Sequence, residues 1–267
     1  MTAFCLAQLS DLHVSATPLQ GIVPTEPMAR AAVAAVLRAE ARPDACVLTG
    51  DLVDAGTADS YALLADLLRP LEARMPVYLM PGNHDARGPL REVFTHHRYL
   101  PAEGRLNYRV EIGPLALIAL DTLVEGSGHG CVDAATLGWL DAALAAESSR
   151  PTIVALHHPP FATGIAFMDR LGVREGAAEL EAVIARHPQV KRVIAGHVHR
   201  AITLGWAGTI GMTAPSTAQQ IALEPAADAP EAFVMEPPGW LLHRRGGGVL
   251  RSAVMPVERS AGPIDYA

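Results

Sequence analysis

The sequence contains no apolar run long enough to cross a membrane. The stretches around Val47, Val77, Leu115 and Ile153 all fall short of the ~18 residues a spanning helix needs, which excludes a transmembrane segment of that kind. Cysteine is scarce too: Cys5, Cys46 and Cys131 are 3 in number and lack the paired spacing of a zinc knuckle, so buried free thiols are expected rather than a disulfide frame. Basic charge is in deficit. Lys and Arg number 21 against 28 Asp and Glu, a formal net charge of -7, and no electrostatic footprint advertises itself for a long nucleic acid. A small phosphorylated substrate needs only local positive charge, which a metal can supply. The first residues carry neither the basic start nor the cleavage site of a leader, and a motif already begins at Asp11, which points to the cytoplasm.

Apolar residues, by contrast, make up 50% of the 267 positions, enough for the full core of one α/β domain with elaborations rather than two separate domains. The chemistry-bearing residues recur where short apolar runs stop. A strand over 4–9 is left by Ser10-Asp11-Leu12-His13, and Asp-x-His puts two metal-ligand types on one side of an extended chain, whose side chains alternate. A helix over 28–41, started by Thr25-Glu26-Pro27, leads to a strand ending at Leu48-Thr49-Gly50-Asp51. Strand, helix, strand implies a right-handed parallel crossover, so Asp11 and Asp51 emerge on the same sheet edge, the crevice where α/β folds place their chemistry.

A further helix to Leu71 precedes a strand over 75–80 that runs into Pro81-Gly82-Asn83-His84-Asp85. Residues 107–112 and 115–120 read as an antiparallel hairpin, with Asp121 at its end in a structural role, and 136–146 as a helix. A strand over 151–156 delivers His157-His158-Pro159-Pro160; adjacent side chains point oppositely, so one imidazole suits a ligand and the other the substrate mouth. A helix over 177–186 and a strand over 192–195 open into Gly196-His197-Val198-His199, a His-x-His pair on one face. From Gly208 the pattern is β-like, over 209–212, 232–235, 240–243 and 249–254, with a Pro- and Ala-rich linker at 224–230; these strands are expected to complete the second sheet and end in a hairpin. Each block alone also reads as an ordinary turn with a capping Asp or a chance His. Their joint occurrence does not.

Taken together, Asp11-Leu12-His13, Gly50-Asp51, Gly82-Asn83-His84, His157 and Gly196-His197-Val198-His199 resemble the signature of the calcineurin-like metallophosphoesterases, in the family's order. The resemblance implies an α/β fold, a four-layer α/β/β/α sandwich, here with a catalytic domain over 1–215 and a small C-terminal β extension over 216–267 as a cap or dimer contact. It implies two metal ions, Mn, Fe or Zn, one held by Asp11, His13, Asp51 and His199 and the other by Asp51, Asn83, His157 and His197, with Asp51 shared. Choosing His157 over His158 rests on the family's His-x-Pro pattern. Two cations about 3.5–4 Å apart clamp a phosphate and generate hydroxide near neutral pH, and His84 would protonate the leaving oxygen or stabilise charge on the phosphoryl group.

Thr49-Gly50-Asp51-Leu52-Val53-Asp54, Leu156-His157-His158-Pro159-Pro160, Phe167-Met168-Asp169, Gly196-His197-Val198-His199-Arg200, Ala214-Pro215-Ser216-Thr217 and Glu236-Pro237-Pro238-Gly239-Trp240 are similar to the bacterial class III cyclic-nucleotide phosphodiesterases and the related glycerophosphodiesterases. That implies phosphodiester hydrolysis by a homo-oligomer, with His158, Met168 and Asp169 on the substrate side. A phosphomonoesterase or phosphoprotein phosphatase is the rival enzyme, and a non-catalytic metal- or nucleotide-binding relative the rival outside catalysis. His96 and His97 read as the favourable positive end of a helix, His129, His187 and His243 as surface or mouth residues, and Met75, Met80, Met212 and Met235 as core fillers.

Overall fold

The computed structural model describes residues 3–226, 228–262 and 264–265. Met1 and Thr2 at the start of the chain, Ala227 of the expected linker, and Pro263, Tyr266 and Ala267 of the C-terminal stretch lie outside the described residues. The chain opens with β1 (Phe4–Leu9), α1 (Thr25–Arg38), β2 (Ala45–Thr49), α2 (Ala58–Glu72), β3 (Val77–Met80) and α3 (Arg87–Val93). It continues through the hairpin β4 (Tyr108–Ile112) and β5 (Leu115–Leu120), the short β6 (Gly130–Cys131), α4 (Ala134–Ala145), β7 (Thr152–Leu156), α5 (Ala166–Asp169), β8 (Val173–Glu175), α6 (Ala177–Ala185) and β9 (Val190–Ala195). It closes with β10 (Thr203–Trp206), β11 (Thr209–Thr213), the small pair β12 (Gln220–Ile221) and β13 (Phe233–Val234), and the hairpin β14 (Gly239–Gly246) and β15 (Val249–Pro256).

These strands form two main sheets, β15-β14-β1-β2-β3 and β10-β11-β9-β7-β5-β4. The alternation of side chains along each strand builds the layers. On β1, Cys5, Ala7 and Leu9 join Val33 and Val36 of α1 and Leu64 and Leu68 of α2 in the outer core of the first sheet. Leu6, on the opposite face, joins Val47 of β2 and meets Leu117 of β5, Ile153 of β7 and Ile194 of β9 between the sheets. The residues beside them on those strands, Ile118, Val154 and Val193, turn outward to Leu140 of α4 and Leu180 and Val183 of α6. The result is the expected α/β/β/α order of layers. Two helix starts carry side-chain caps: Thr57 of α2 accepts from Ser60 N at 3.3 Å and Asp133 of α4 from Thr136 N at 2.8 Å.

The C-terminal hairpin is placed differently from the sequence expectation. Only β10 and β11 complete the second sheet, whereas β14 lies antiparallel to β1 from Gln8↔Leu241 to Phe4↔Arg245 and so is woven into the first sheet rather than appended to it. His243 is consequently not a surface or mouth residue. It is fully buried, with Nε2 3.0 Å from Gln8 Oε1 and Nδ1 2.8 Å from Ser252 Oγ. The Gln8 amide then donates to Thr49 Oγ1 at 3.0 Å and to the Ala195 carbonyl of the second sheet at 3.1 Å, a satisfied polar bridge across the inter-sheet core. Met235 likewise departs from its core reading, being 54% exposed beside the short β12–β13 pair. Among the described residues, no helix is long and apolar enough to cross a membrane.

Candidate metal centre

Strands β1, β2, β3, β7 and β9 all end at one edge of the sandwich, and the chain after each carries the candidate ligands. The backbone there is not extended. Asp11 (φ 53°), His13 (φ 45°), Asp51 (φ 47°), His197 (φ 72°) and His199 (φ 50°) all occupy the left-handed region. Asp-x-His and His-x-His therefore share a face because every second residue is left-handed, not because the chain is pleated as expected. Such conformations cost of the order of 1–3 kcal/mol each and cluster at functional sites, with Asp and His among the residues that tolerate them best. Ladder-like bonds continue past the strands to hold them: Asp11 N donates to Gly50 O at 3.1 Å, His13 N to Asp51 O at 2.9 Å and Gly196 N to His157 O at 3.0 Å. Glycine is required where the loops interlock, since a Cβ at Gly50 would stand 2.4 Å from His157 Nδ1 and one at Gly82 2.3 Å from the Asp51 amide nitrogen.

Two donor groups result. Asp11, His13, Asp51 and His199 bring one ligand atom each within 4.8 Å of the others. Within that group His13 Nε2 lies 3.2 Å from His199 Nε2 and 3.5 Å from Asp51 Oδ2, and His199 Nε2 lies 3.4 Å from Asp11 Oδ1. On the other side of Asp51, His157 Nε2 is 3.4 Å from the same Oδ2 and 3.1 Å from Asn83 Oδ1, and the His157 and His197 rings are 5.1 Å apart. One carboxylate oxygen thus faces both groups.

The tautomers suit cations. His157 donates Nδ1–H to the Thr49 carbonyl at 2.8 Å and His199 donates Nδ1–H to the Gln219 carbonyl at 2.9 Å, which turns each Nε2 toward the other donors. Burial lowers the His157 imidazole, but the Asp51 charge outweighs it and raises the group to about 9, so a cation there would take the place of the Nε2 proton. His197 Nε2 is buried and has no hydrogen-bond partner; as a bare lone pair it is a nitrogen that a cation would satisfy. Burial pulls His197 well below the usual imidazole range and His199 down to about 4, keeping both neutral as ligands must be. Burial raises Asp11 to about 6, while Asp51, despite its own burial, is held well below the carboxylate range by His157 and His13. Two buried carboxylates and an amide oxygen among four imidazoles, without thiolate, fit a pair of borderline dications.

Residues 6–201 match the calcineurin-like phosphoesterases. The chain belongs to that family. It is 29% identical over 267 residues to a glycerophosphodiester phosphodiesterase, GpdQ, of Enterobacter lignolyticus, covering 98% of this chain and 94% of the relative. It is 31% identical over 218 residues to the 3',5'-cyclic adenosine monophosphate phosphodiesterase CpdA of Escherichia coli, covering 80% and 76% respectively. A dimetal phosphatase structure from Danio rerio shares the fold at 16% identity, with a TM-score of 0.62 and coverage of 96% of this chain and 99% of that one. Calcineurin-like phosphoesterases depend on two metal ions, and the two donor groups here are the candidate positions for them.

In this phosphoesterase the remaining site residues divide between the cavity and its support. His84 stands at the rim, its amide donating to Asp51 Oδ1 at 2.9 Å and its Nδ1–H to the Asp54 carbonyl at 2.9 Å. Burial lowers the His84 imidazole, but the Asp51 charge and the Asp54 carbonyl outweigh it and raise the group. His84 and Met168 both line a cavity of about 530 Å³ over the donor groups. His158 does not reach the mouth. It is fully buried, with Nδ1 2.8 Å from Thr122 Oγ1 and its ring 4.7 Å from that of His197. The chain bends as it leaves β7, so alternation no longer applies: the two adjacent rings lie 4.8 Å apart and both face His197. His158 Nε2 is buried without a hydrogen-bond partner, so His157, His158 and His197 also form a candidate donor cluster. What distinguishes His157 is its contact with Asn83 and Asp51. Asp169 is also turned away from the substrate side, its carboxylate taken up by Thr163 N and Oγ1, each at 2.6 Å, and Gly164 N at 3.0 Å.

Three supporting residues carried no assignment from the sequence. Asp85 is buried and accepts from Gly82 N at 2.8 Å, Leu52 N at 3.1 Å and Tyr61 OH at 2.8 Å, tying the Asn83 loop to the Asp51 loop. Asp54 Oδ1 stands 3.5 Å from both His13 Nδ1 and His84 Nδ1. A second carboxylate directly after the Gly-Asn-His and Gly-Asp blocks was the available signal. Gln219, from the poorly patterned stretch after β11, offered none. Asp121 has the structural role expected of it, clasping Arg87 Nε at 2.6 Å.

Proposed function

We propose that this protein hydrolyses phosphodiesters with a pair of cations, Mn, Fe or Zn, one held by Asp11, His13, Asp51 and His199 and the other by Asp51, Asn83, His157 and His197. The observation that carries the reading is Asp51 Oδ2, which lies 3.5 Å from His13 Nε2 and 3.4 Å from His157 Nε2 at the floor of an open cavity. Bound cations would supply Lewis acidity to the phosphoryl oxygens and lower the pKa of water. The protein's own part is orientation and proton transfer. His84, fixed through Nδ1, presents its other nitrogen as the acid for the departing alkoxide. Asp54 braces that imidazole and His13 together.

The cavity wall supports a cyclic nucleotide as the first substrate class. Leu19, Val23, Leu171, Ile221 and Phe233 form an apolar flank, and no Lys or Arg stands among the described lining residues. That wall suits a neutral, planar alcohol portion better than a charged one. A glycerophosphodiester is the second reading, favoured by the name of the Enterobacter lignolyticus relative. A cytoplasmic homo-oligomer completes the proposal. The free thiols Cys5, Cys46 and Cys131 suit a reducing compartment, and the edge strand β15 leaves Val249 and Val254 exposed.

The test is kcat/KM on cAMP, glycerophosphoethanolamine, bis(p-nitrophenyl) phosphate and p-nitrophenyl phosphate with defined Mn, Fe or Zn loading. Diesters are expected to exceed the monoester, with cAMP first. A monoester preference overturns the diesterase reading. His84→Gln should lower kcat on a diester about 10²–10⁴-fold while keeping its metal; loss of metal instead would make His84 a ligand.

A further inference from the structure

Away from the catalytic centre, Glu72, His96 and His97 bring three ligand atoms within 4.8 Å of one another. Glu72 is the last residue of α2, and the histidines sit on the turn after α3, where His97 N donates to the Phe94 carbonyl at 3.0 Å. The turn does more than put positive charge at the end of α3. It aims both imidazoles at one oxygen: Glu72 Oε1 is 2.9 Å from His97 Nε2 and 3.3 Å from His96 Nε2.

A tetrahedral dication ~2.0–2.1 Å from its nitrogen and oxygen ligands spaces them about 3.3–3.4 Å apart. The His96–Glu72 separation matches that spacing, and the His97–Glu72 separation, a direct hydrogen bond, is about 0.4 Å shorter. The two rings pack 4.3 Å apart at 38°, so a doubly protonated pair would repel itself, whereas a shared cation satisfies both nitrogens and the carboxylate. Burial and the neighbouring His96 lower the His97 imidazole, which favours the neutral, ligating form. His97 and Glu72 are mostly covered, with side chains 7% and 23% exposed, while His96 at 58% gives access from solvent. The three also line a surface cavity of about 310 Å³ with Tyr78 and Tyr99, enough for an ion and its water.

We propose that Glu72, His96 and His97 form a third cation site, which takes a borderline transition-metal dication such as zinc and keeps one position for water. Two imidazoles and one carboxylate select zinc, nickel or copper over magnesium and calcium. The ion would staple the end of α2 to the turn after α3. That helix begins at Arg87, three residues after His84, so the staple also steadies the segment that carries Asn83 and His84.

The test uses the untagged full chain, loaded with zinc, desalted and assayed for metal per chain. Wild type is expected to hold one zinc more than His96→Ala or Glu72→Gln, and the affinity for that zinc to fall at least about tenfold in either variant. Asp51→Ala, with the catalytic pair disrupted, should keep the extra zinc, and adding His96→Ala should remove it. The difference between wild type and variant reads the site, so incomplete filling of the catalytic pair leaves the outcome intact. Catalytic zinc retained by His96→Ala reports that it is folded. Equal zinc content in wild type and both variants overturns the proposal.

Discussion

Replacing Gly82 by Ala adds one methyl group at the point where two ligand loops touch. A Cβ there would lie 2.3 Å from both N and Oδ1 of Asp51 and 2.8 Å from Cε1 of His157, about 1 Å inside the ordinary contact distance of 3.4 Å. None of these atoms belongs to a flexible side-chain tip in solvent. Asp51 is 2% exposed and His157 is fully buried, so the Asn83 loop itself has to back away. Its backbone conformation accepts alanine, which makes the effect purely steric. Overpacking of this kind costs about 1–3 kcal/mol of stability, and a displacement of about 1 Å at reacting groups costs about 10²-fold in rate. The assay is kcat on bis(p-nitrophenyl) phosphate at saturating manganese, with bound metal and urea midpoint measured on the same preparation. Gly88→Ala is the control. Its Cβ meets nothing within 4 Å, and in α3 it should leave kcat unchanged and raise stability by at most about 1 kcal/mol. A Gly82→Ala enzyme within about twofold of wild type in both kcat and bound metal would refute the view that these loops are interlocked.

Asp51→Ala should release both manganese ions together, because one oxygen faces both donor groups; metal analysis after desalting checks this, and a full retained equivalent would separate the two positions. Tyr61→Phe removes the donor to Asp85 Oδ1 at 2.8 Å and the acceptor for Ala86 N at 2.9 Å, so a loss of about 1–3 kcal/mol is expected in urea unfolding with an unchanged m value. His243 supplies a pH test. Burial, with Arg192 nearby, pulls its imidazole down to about 3 from 6.5, so between those values the unfolded chain binds a proton that the folded chain does not. Its contribution is whole above about pH 6.5 and is lost as pH falls toward 3, amounting to about 2 kcal/mol at pH 5. In metal-free protein, wild type should lose about 2 kcal/mol more than His243→Gln between pH 7.5 and 5, and equal losses would show that His243 does not titrate this way.

The crossovers from β1 to β2 to β3 were legible because apolar strands of four to six residues alternate with Ala-rich amphipathic segments, and parallel pairing then fixes which edge the intervening motifs share. That edge groups Asp11, Asp51 and Asn83, whereas the choice of His157, His197 and His199 as their partners came from the family resemblance. The elements and roles that escaped depend on partners distant in the chain. β14 reads as a generic C-terminal strand until it pairs with β1, more than 230 residues earlier, and His243 reads as exposed until Gln8 meets it. His158 was misjudged because alternation was carried past the end of β7. Asp169 was misjudged because a carboxylate near a mouth motif can equally be consumed by its own turn, as Thr163 and Gly164 consume it. Local pattern reports which face of an element is buried; it does not report where an irregular segment points.

The left-handed ligands connect these observations to the chemistry. Backbone bonds hold the conformations of Asp11, His13, Asp51, His197 and His199, since each lies within two residues of a bond that extends strand pairing or ties one loop to another. His197 N, for example, donates to both carboxylate oxygens of Asp11, at 2.9 and 3.1 Å, so β9 positions a ligand that belongs to β1. The carbonyls of Thr49 and Gln219 set two tautomers in the same way. Organisation of the donors is therefore carried by the backbone of the sandwich, whose inter-sheet core is far larger than the site. Crowded buried imidazoles, a carboxylate raised by burial and an orphaned Nε2 on His197 are what a pair of cations would relieve. Donors positioned in this way by sheet backbone would leave little of a cation's binding free energy to be spent on rearrangement.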